Sequence, residues 1–96
     1  MMVIITYDVS TTSLSGPKRL RRVAKTCEKF GQRVQNSVFE CVVDTTQFTQ
    51  LKHDLLTIID ESHDSIRFYR LGNNYDAKIE HYGVKTSFDV EGVLIL

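Results

Sequence analysis

Asp8 is the first side chain whose setting could support chemistry. It follows the apolar run Val3-Ile4-Ile5 through Thr6 and Tyr7, and it precedes a Ser/Thr/Gly loop, Ser10–Gly16. A strand ending there would present a carboxylate at its C-terminal end. Carboxylate oxygens suit Mg²⁺, which often takes only one or two of them from a protein. The same setting also suits an aspartate that opens the loop through an Asx turn. One carboxylate cannot build an all-protein metal cage, but a two-fold axis bringing two copies of Asp8 together would double the donors.

Cations form the second constellation. The whole chain balances 12 Lys+Arg against 12 Asp+Glu. Yet residues 16–33 carry Lys18, Arg19, Arg21, Arg22, Lys25, Lys29 and Arg33 against Glu28 alone, a local net charge of +6. Residues 1–15 sum to −1 and residues 34–96 to −5. Such asymmetry points to a polyanion partner, and it is equally what a solvated helix face would show. The step Gly16-Pro17-Lys18-Arg19 could offer helix N–H groups and cations to one phosphate.

Other chemistries find little support. His53, His63 and His81 show no HExxH or Cys/His zinc spacing. Cys27 and Cys41 fall on apolar stripes and read as small core residues rather than nucleophiles. No GxGxxG or Walker sequence is present, which argues against a nucleotide cofactor.

The elements that must position these residues follow from periodicity. Met2–Asp8 reads as a strand, and its apolar run on both faces assigns it to the middle of a sheet. Pro17 suits a first helical turn, and Leu20, Val23, Ala24, Cys27 and Phe30 then make one apolar stripe beneath the basic roof, with Gly31 as its stop. Val34–Asp44 is extended, with Phe39, Cys41 and Val43 on one side and a turn or bulge at Asn36-Ser37. Asp44, Thr45 and Thr46 offer caps for a second helix through Phe48, Leu51, Leu55, Ile58 and Ile59, stopping near Ser62. Ile66–Leu71 is the next strand, closed by the turn signal Gly72-Asn73-Asn74. Residues 75–92 read as a loop with a weak strand at Lys78–Tyr82, and Val93–Leu96 as a final strand.

The order β-α-β-β-α-β implies an α+β, ferredoxin-like sandwich with both helices on one face of the sheet. At 96 residues and 42% hydrophobic, the chain is one small domain with a thin core, which a second subunit would help to bury. The expected arrangement is a single domain over 1–96, whose C-terminal extension, 76–96, carries a strand that pairs with a partner subunit. No apolar run approaches the ~18 residues of a membrane span. No signal-peptide pattern opens the chain, so a reduced, cytoplasmic protein is expected.

An apolar strand ending Tyr7-Asp8-Val9, a basic helix ending Phe30-Gly31, and then Arg33-Val34-Gln35-Asn36-Ser37-Val38-Phe39-Glu40 resembles the CRISPR-associated protein 2 family, the small partner of the CRISPR integrase. The resemblance runs from Met2 to the C-terminal strand. It implies a ferredoxin-like homodimer with the strand-end aspartates facing each other. It also implies a metal-dependent endonuclease of antiviral defence, acting on single-stranded RNA or double-stranded DNA. In spacer acquisition the dimer would bridge integrase subunits and hold duplex DNA. By the same resemblance Asp8 is the catalytic and metal-binding residue, taking Mg²⁺ or Mn²⁺, with Tyr7, Ser10 and Phe39 lining its cleft. Lys18, Arg19, Arg21, Arg22 and Arg33 would contact phosphates. The alternative is a non-catalytic, architectural DNA-binding dimer. The residue readings stand beside these: Phe39 also fits the core alternation, and Arg22 and Arg33 also fit exposed salt bridges. Two departures are the long Ser/Thr-rich loop after Asp8, which could alter substrate choice, and Asn36, where relatives often carry an aromatic.

Overall fold

The computed structural model describes residues 1–72 and 77–84. Seven elements follow one another: β1 (Met2–Asp8), α1 (Gly16–Glu28), β2 (Gly31–Gln35), β3 (Val38–Val42), α2 (Thr45–Ile58), β4 (Ser65–Leu71) and β5 (Ala77–Gly83). The strands form one antiparallel sheet in the order β2-β3-β1-β4-β5. Its first four strands with the two helices make the expected ferredoxin-like α+β fold, and β5 extends this chain's own sheet beside β4. The expected strand Val93–Leu96 and the Asn73-Asn74 half of the turn lie outside the described residues.

Burial explains the placement of β1. Val3, Ile5 and Tyr7 are buried on one face, and Met2, Ile4 and Thr6 are only half-buried on the other. The strand is central, as its apolar run implies, but only one of its faces is roofed by helices. Between sheet and helices lies the core, with Val23, Ala24 and Cys27 of α1, Phe48, Leu51 and Leu55 of α2, and Phe39, Ile66 and Phe68 from the strands. Both cysteine readings hold: Cys27 and Cys41 are free and buried, and burial pushes their thiols up to about 12 and about 11.

Two boundaries differ from the sequence reading. Helix α1 ends at Glu28, and Gly31 opens β2 instead of stopping the helix. Gly31 is needed there because a Cβ would collide with the Glu40 carbonyl oxygen and the Cys41 sulfur across the β2–β3 pair. Helix α2 ends at Ile58, short of Ser62, because residues 60–64 turn back on themselves through hydrogen bonds to Asp60 and Asp64. Its start is as expected: the Gln47 N–H donates to Asp44 Oδ1 at 2.7 Å and the Asp44 N–H to Gln47 Oε1 at 2.9 Å, a reciprocal cap.

Candidate functional site

The register of β1 and β4 sets one end of the sheet. Asp8 lies opposite Ser65, and Thr6 opposite Arg67. Thr6, Tyr7, Asp8, Ser65 and Arg67 together line a shallow depression of about 140 Å³. Asp8 is exposed, and among the described residues no side chain hydrogen-bonds or pairs with its carboxylate. Asp8 is therefore placed as the sequence suggests, at a strand end with its acceptor capacity unspent.

The loop that leaves this strand is held by a buried ion pair. Arg19 Nε donates to Asp64 Oδ2 at 2.8 Å and Nη2 to Oδ1 at 3.2 Å, a bidentate pair beneath the Ser10–Ser15 loop. The remaining guanidinium hydrogens reach the Ser13 and Ser15 hydroxyls and the Ser10 carbonyl. Asp64 also accepts the N–H groups of Ser10 (3.0 Å) and Asp60 (2.9 Å). Burial pushes the Asp64 carboxyl up, but the bonds from Arg19, Asp60 and Ser10 outweigh it and hold the pKa below the usual value. Arg19 is thus corrected: only 9% exposed, its guanidinium fastens the loop and is not available to a phosphate. The missed partner, Asp64, sits 45 residues away in a polar stretch that reads as ordinary loop.

Two cleft assignments also change, those of Phe39 and Ser10, whereas Tyr7 lines the depression as expected. Phe39 is fully buried, stacked on Tyr7 (ring centroids 6.2 Å apart) with the Arg33 guanidinium 5.3 Å from its ring centre. It belongs to the core, as its alternation with Cys41 and Val43 implies. The Tyr7 side chain turns to the helix-covered face because strand neighbours alternate, so its ring is on the opposite side from Asp8. Its hydroxyl donates to the Asn36 carbonyl at 3.3 Å, and burial raises its pKa. Ser10 directs its N–H to Asp64 and pairs its hydroxyl with Thr12, outside the depression.

The other cations keep their expected exposure. Lys18, Arg21, Arg22 and Lys25 are exposed on α1, and Lys29 is exposed at its C-cap. Arg33 is half-exposed on β2, 3.8 Å from Glu28. The exposed cations of α1 and the buried Arg19 lie on one helix, so a single run of basic residues divides into a surface stripe and a structural bolt.

Two residues near Asp8 were not singled out from the sequence. Arg67 Nε donates to His81 Nδ1 at 2.8 Å, and His81 Nε2 lies 3.0 Å from the Val84 carbonyl. Only the β4–β5 register, which sets Arg67 against His81, brings them together. Among the described residues no group of three His, Cys, Asp or Glu gathers as a metal cluster, and no helix is long and apolar enough to cross a membrane.

A ferredoxin-like sheet with an exposed aspartate at the end of its central strand and a helix carrying exposed cations defines a class of small α+β domain. Comparison with known proteins gives the family. The model of "CRISPR associated protein Cas2" matches residues 1–79. The chain is 63% identical over 95 residues to a CRISPR-associated endonuclease Cas2 of Halalkalibacterium halodurans, covering 99% of each chain. It is 55% identical to a CRISPR-associated endoribonuclease Cas2 of Nitratidesulfovibrio vulgaris, covering all of this chain and 94% of the relative. The crystal structure of Streptococcus pyogenes Cas2 at pH 6.5 superposes with a TM-score of 0.70 at 61% identity, over 78% of this chain and 90% of that one. The chain belongs to the CRISPR-associated protein Cas2 family.

Proposed function

We propose that the protein is a divalent-metal-dependent nuclease of CRISPR defence, working as a homodimer whose two Asp8 carboxylates serve one site. The observation that carries this reading is Asp8 itself: exposed at the end of the central strand and, among the described residues, without a side-chain partner, in a chain similar to proteins named endonuclease and endoribonuclease.

The dimer reading rests on the uncovered sheet face. At the end away from Asp8 it carries Met2, Ile4, Val42, Tyr69, Leu71 and Ile79 around the single carboxylate of Glu40, with Val42 74% exposed. An apolar sheet face of this kind needs cover, and a second copy applying the same patch provides it. The face turns polar towards Thr6, Asp8, Ser65 and Arg67, so a dimer joined at its apolar end would leave these residues at a cleft.

Asp8 and the neighbouring Thr6 and Ser65 hydroxyls are oxygen donors of the type that Mg²⁺ and Mn²⁺ accept, and one chain supplies half of a two-carboxylate site. A divalent ion held there would supply Lewis-acid stabilisation to a phosphodiester. Hydrolysis adds water across one P–O bond and leaves a phosphate monoester and an alcohol. Asp8 would hold the cation, the protein surface would orient the strand, and the exposed cations of α1 would bind phosphates without reading base sequence.

A second reading is favoured by those cations. Lys18, Arg21, Arg22, Lys25 and Lys29 make a continuous exposed face suited to duplex DNA, the surface an architectural partner of the integrase in spacer acquisition would use. One dimer can carry both roles. Asp8→Asn separates them: on the nuclease reading it abolishes Mg²⁺-dependent cleavage while duplex binding and dimer mass persist. Cleavage that survives the substitution, or that needs no divalent ion, would refute the metal mechanism.

A further inference from the structure

We infer that Arg67, held in place by His81, is the phosphate-binding cation of the Asp8 depression. The inference rests on reading that depression as a phosphodiester site. A carboxylate and a guanidinium line the same hollow, yet no carboxylate lies within 4 Å of Arg67 among the described residues. Opposite charges left apart in one depression are satisfied together by a cation–phosphate unit, with the cation on Asp8 and the phosphate oxygens on Arg67. The other charged arginine of β4, Arg70, is already paired with Glu80 at 3.3 Å and lies over the Phe48 ring.

The hydrogen bonds fix how Arg67 is presented. Its Nε–H is given to His81 Nδ1, so His81 must be an acceptor at that nitrogen and carry its proton on Nε2, directed to the Val84 carbonyl. The guanidinium is therefore anchored by one edge. Among the described residues its terminal nitrogens have no partner and form a planar fork, the geometry that grips two phosphate oxygens at once. His81 touches no substrate in this scheme and is a positioning residue. Thr6, directly across β1, and Ser65 complete the wall with hydroxyls.

The test compares Arg67→Met, Arg67→Lys, His81→Ala and His81→Asn with the unmodified protein, with Asp8→Asn as reference. Methionine keeps the stem's packing, lysine keeps charge without the fork, and asparagine keeps an acceptor near Nδ1. With Mg²⁺ and a single-stranded RNA or duplex DNA substrate, Arg67→Met should lower kcat/KM about a hundredfold, the scale of losing one preorganised donor. Arg67→Lys should fall between. His81→Ala should raise KM and lower kcat/KM, and His81→Asn should restore both. If Arg67→Met cleaves within twofold of the unmodified protein while Asp8→Asn is inactive, the inference is wrong and the Asp8 reading stands. If Asp8→Asn remains active, the Asp8 reading fails, and binding decides the question of Arg67. In EDTA, Arg67→Met should then bind the same oligonucleotide about tenfold more weakly, with its log–log salt slope reduced by about 1. Unchanged affinity and slope would overturn the inference by that route.

Discussion

Asp8 and Asp64 stand at the same end of the sheet, Asp8 facing Ser65, the residue after Asp64. Their circumstances are opposite. Asp64 has no exposed surface, and both its oxygens are occupied by a bidentate arginine and two main-chain N–H groups. Asp8 is exposed, and among the described residues no side chain donates to its carboxylate. A buried carboxylate survives only when its hydrogen-bonding capacity is spent, and spending it removes it from chemistry. An exposed carboxylate at a strand end costs the fold little and keeps its lone pairs for a ligand. The arginines divide in the same way: Arg19 is consumed by the fold, whereas Arg21 and Arg22, two and three residues on, remain on the surface.

That contrast can be broken experimentally, and the largest effect belongs to Asp8. Asp8→Asn should reduce cleavage at least about a hundredfold and leave the unfolding midpoint within about 0.5 kcal/mol of the unmodified protein. Loss of activity accompanied by unfolding would erase the distinction between the two aspartates. Asp64→Ala should do the reverse, costing roughly 3–5 kcal/mol in urea denaturation because a buried guanidinium loses its partner. The double replacement Arg19→Met with Asp64→Leu should recover much of that loss, since no charge is then left stranded.

Among the cations, Arg22→Glu with Lys25→Glu should weaken duplex binding and flatten its salt dependence by about 0.9 in log–log slope for each phosphate contact removed. Fluorescence anisotropy from 50 to 200 mM salt would measure it. The smallest effect is in the acid limb. The Asp64 pKa is lowered by folding, so its stabilisation is complete above the ordinary carboxylate value near 4 and is lost as pH falls through the lowered one. Asp60, held at about 2 chiefly by Ser62, acts in the same direction. The stability gap between the unmodified protein and Asp64→Asn should therefore narrow between pH 5 and pH 2, which denaturation midpoints at several pH values would show.

How much of this could be read from the sequence depends on the range of the interaction. The both-faces apolar run that makes β1 central, the 3.6-residue stripe of α1 and the Asp44–Gln47 cap are local patterns and are visible as such. The alternation of Phe39 with Cys41 and Val43 placed it correctly in the core, and only the family resemblance moved it to the cleft. What separates Arg19 from Arg22 is not local, because it depends on where Asp64 comes to lie after the sheet has formed. The Arg67–His81 bond is likewise a product of the β4–β5 register. A charge run shows how many cations a helix has, and only the tertiary fold decides which of them stay free.

The position of β1 has a consequence for the birth of the molecule. It precedes both of its partners along the chain and lies in the middle of the finished sheet, with Met2 paired to Val42 on one side and to Leu71 on the other. At ~5–20 residues per second a ribosome needs several seconds to deliver that last partner. The β3 side of Val3, Ile4 and Ile5 can be covered once residue 42 is made, but their β4 side stays bare until residues 65–71 follow. The central strand is flanked on both sides only when residue 71 has arrived.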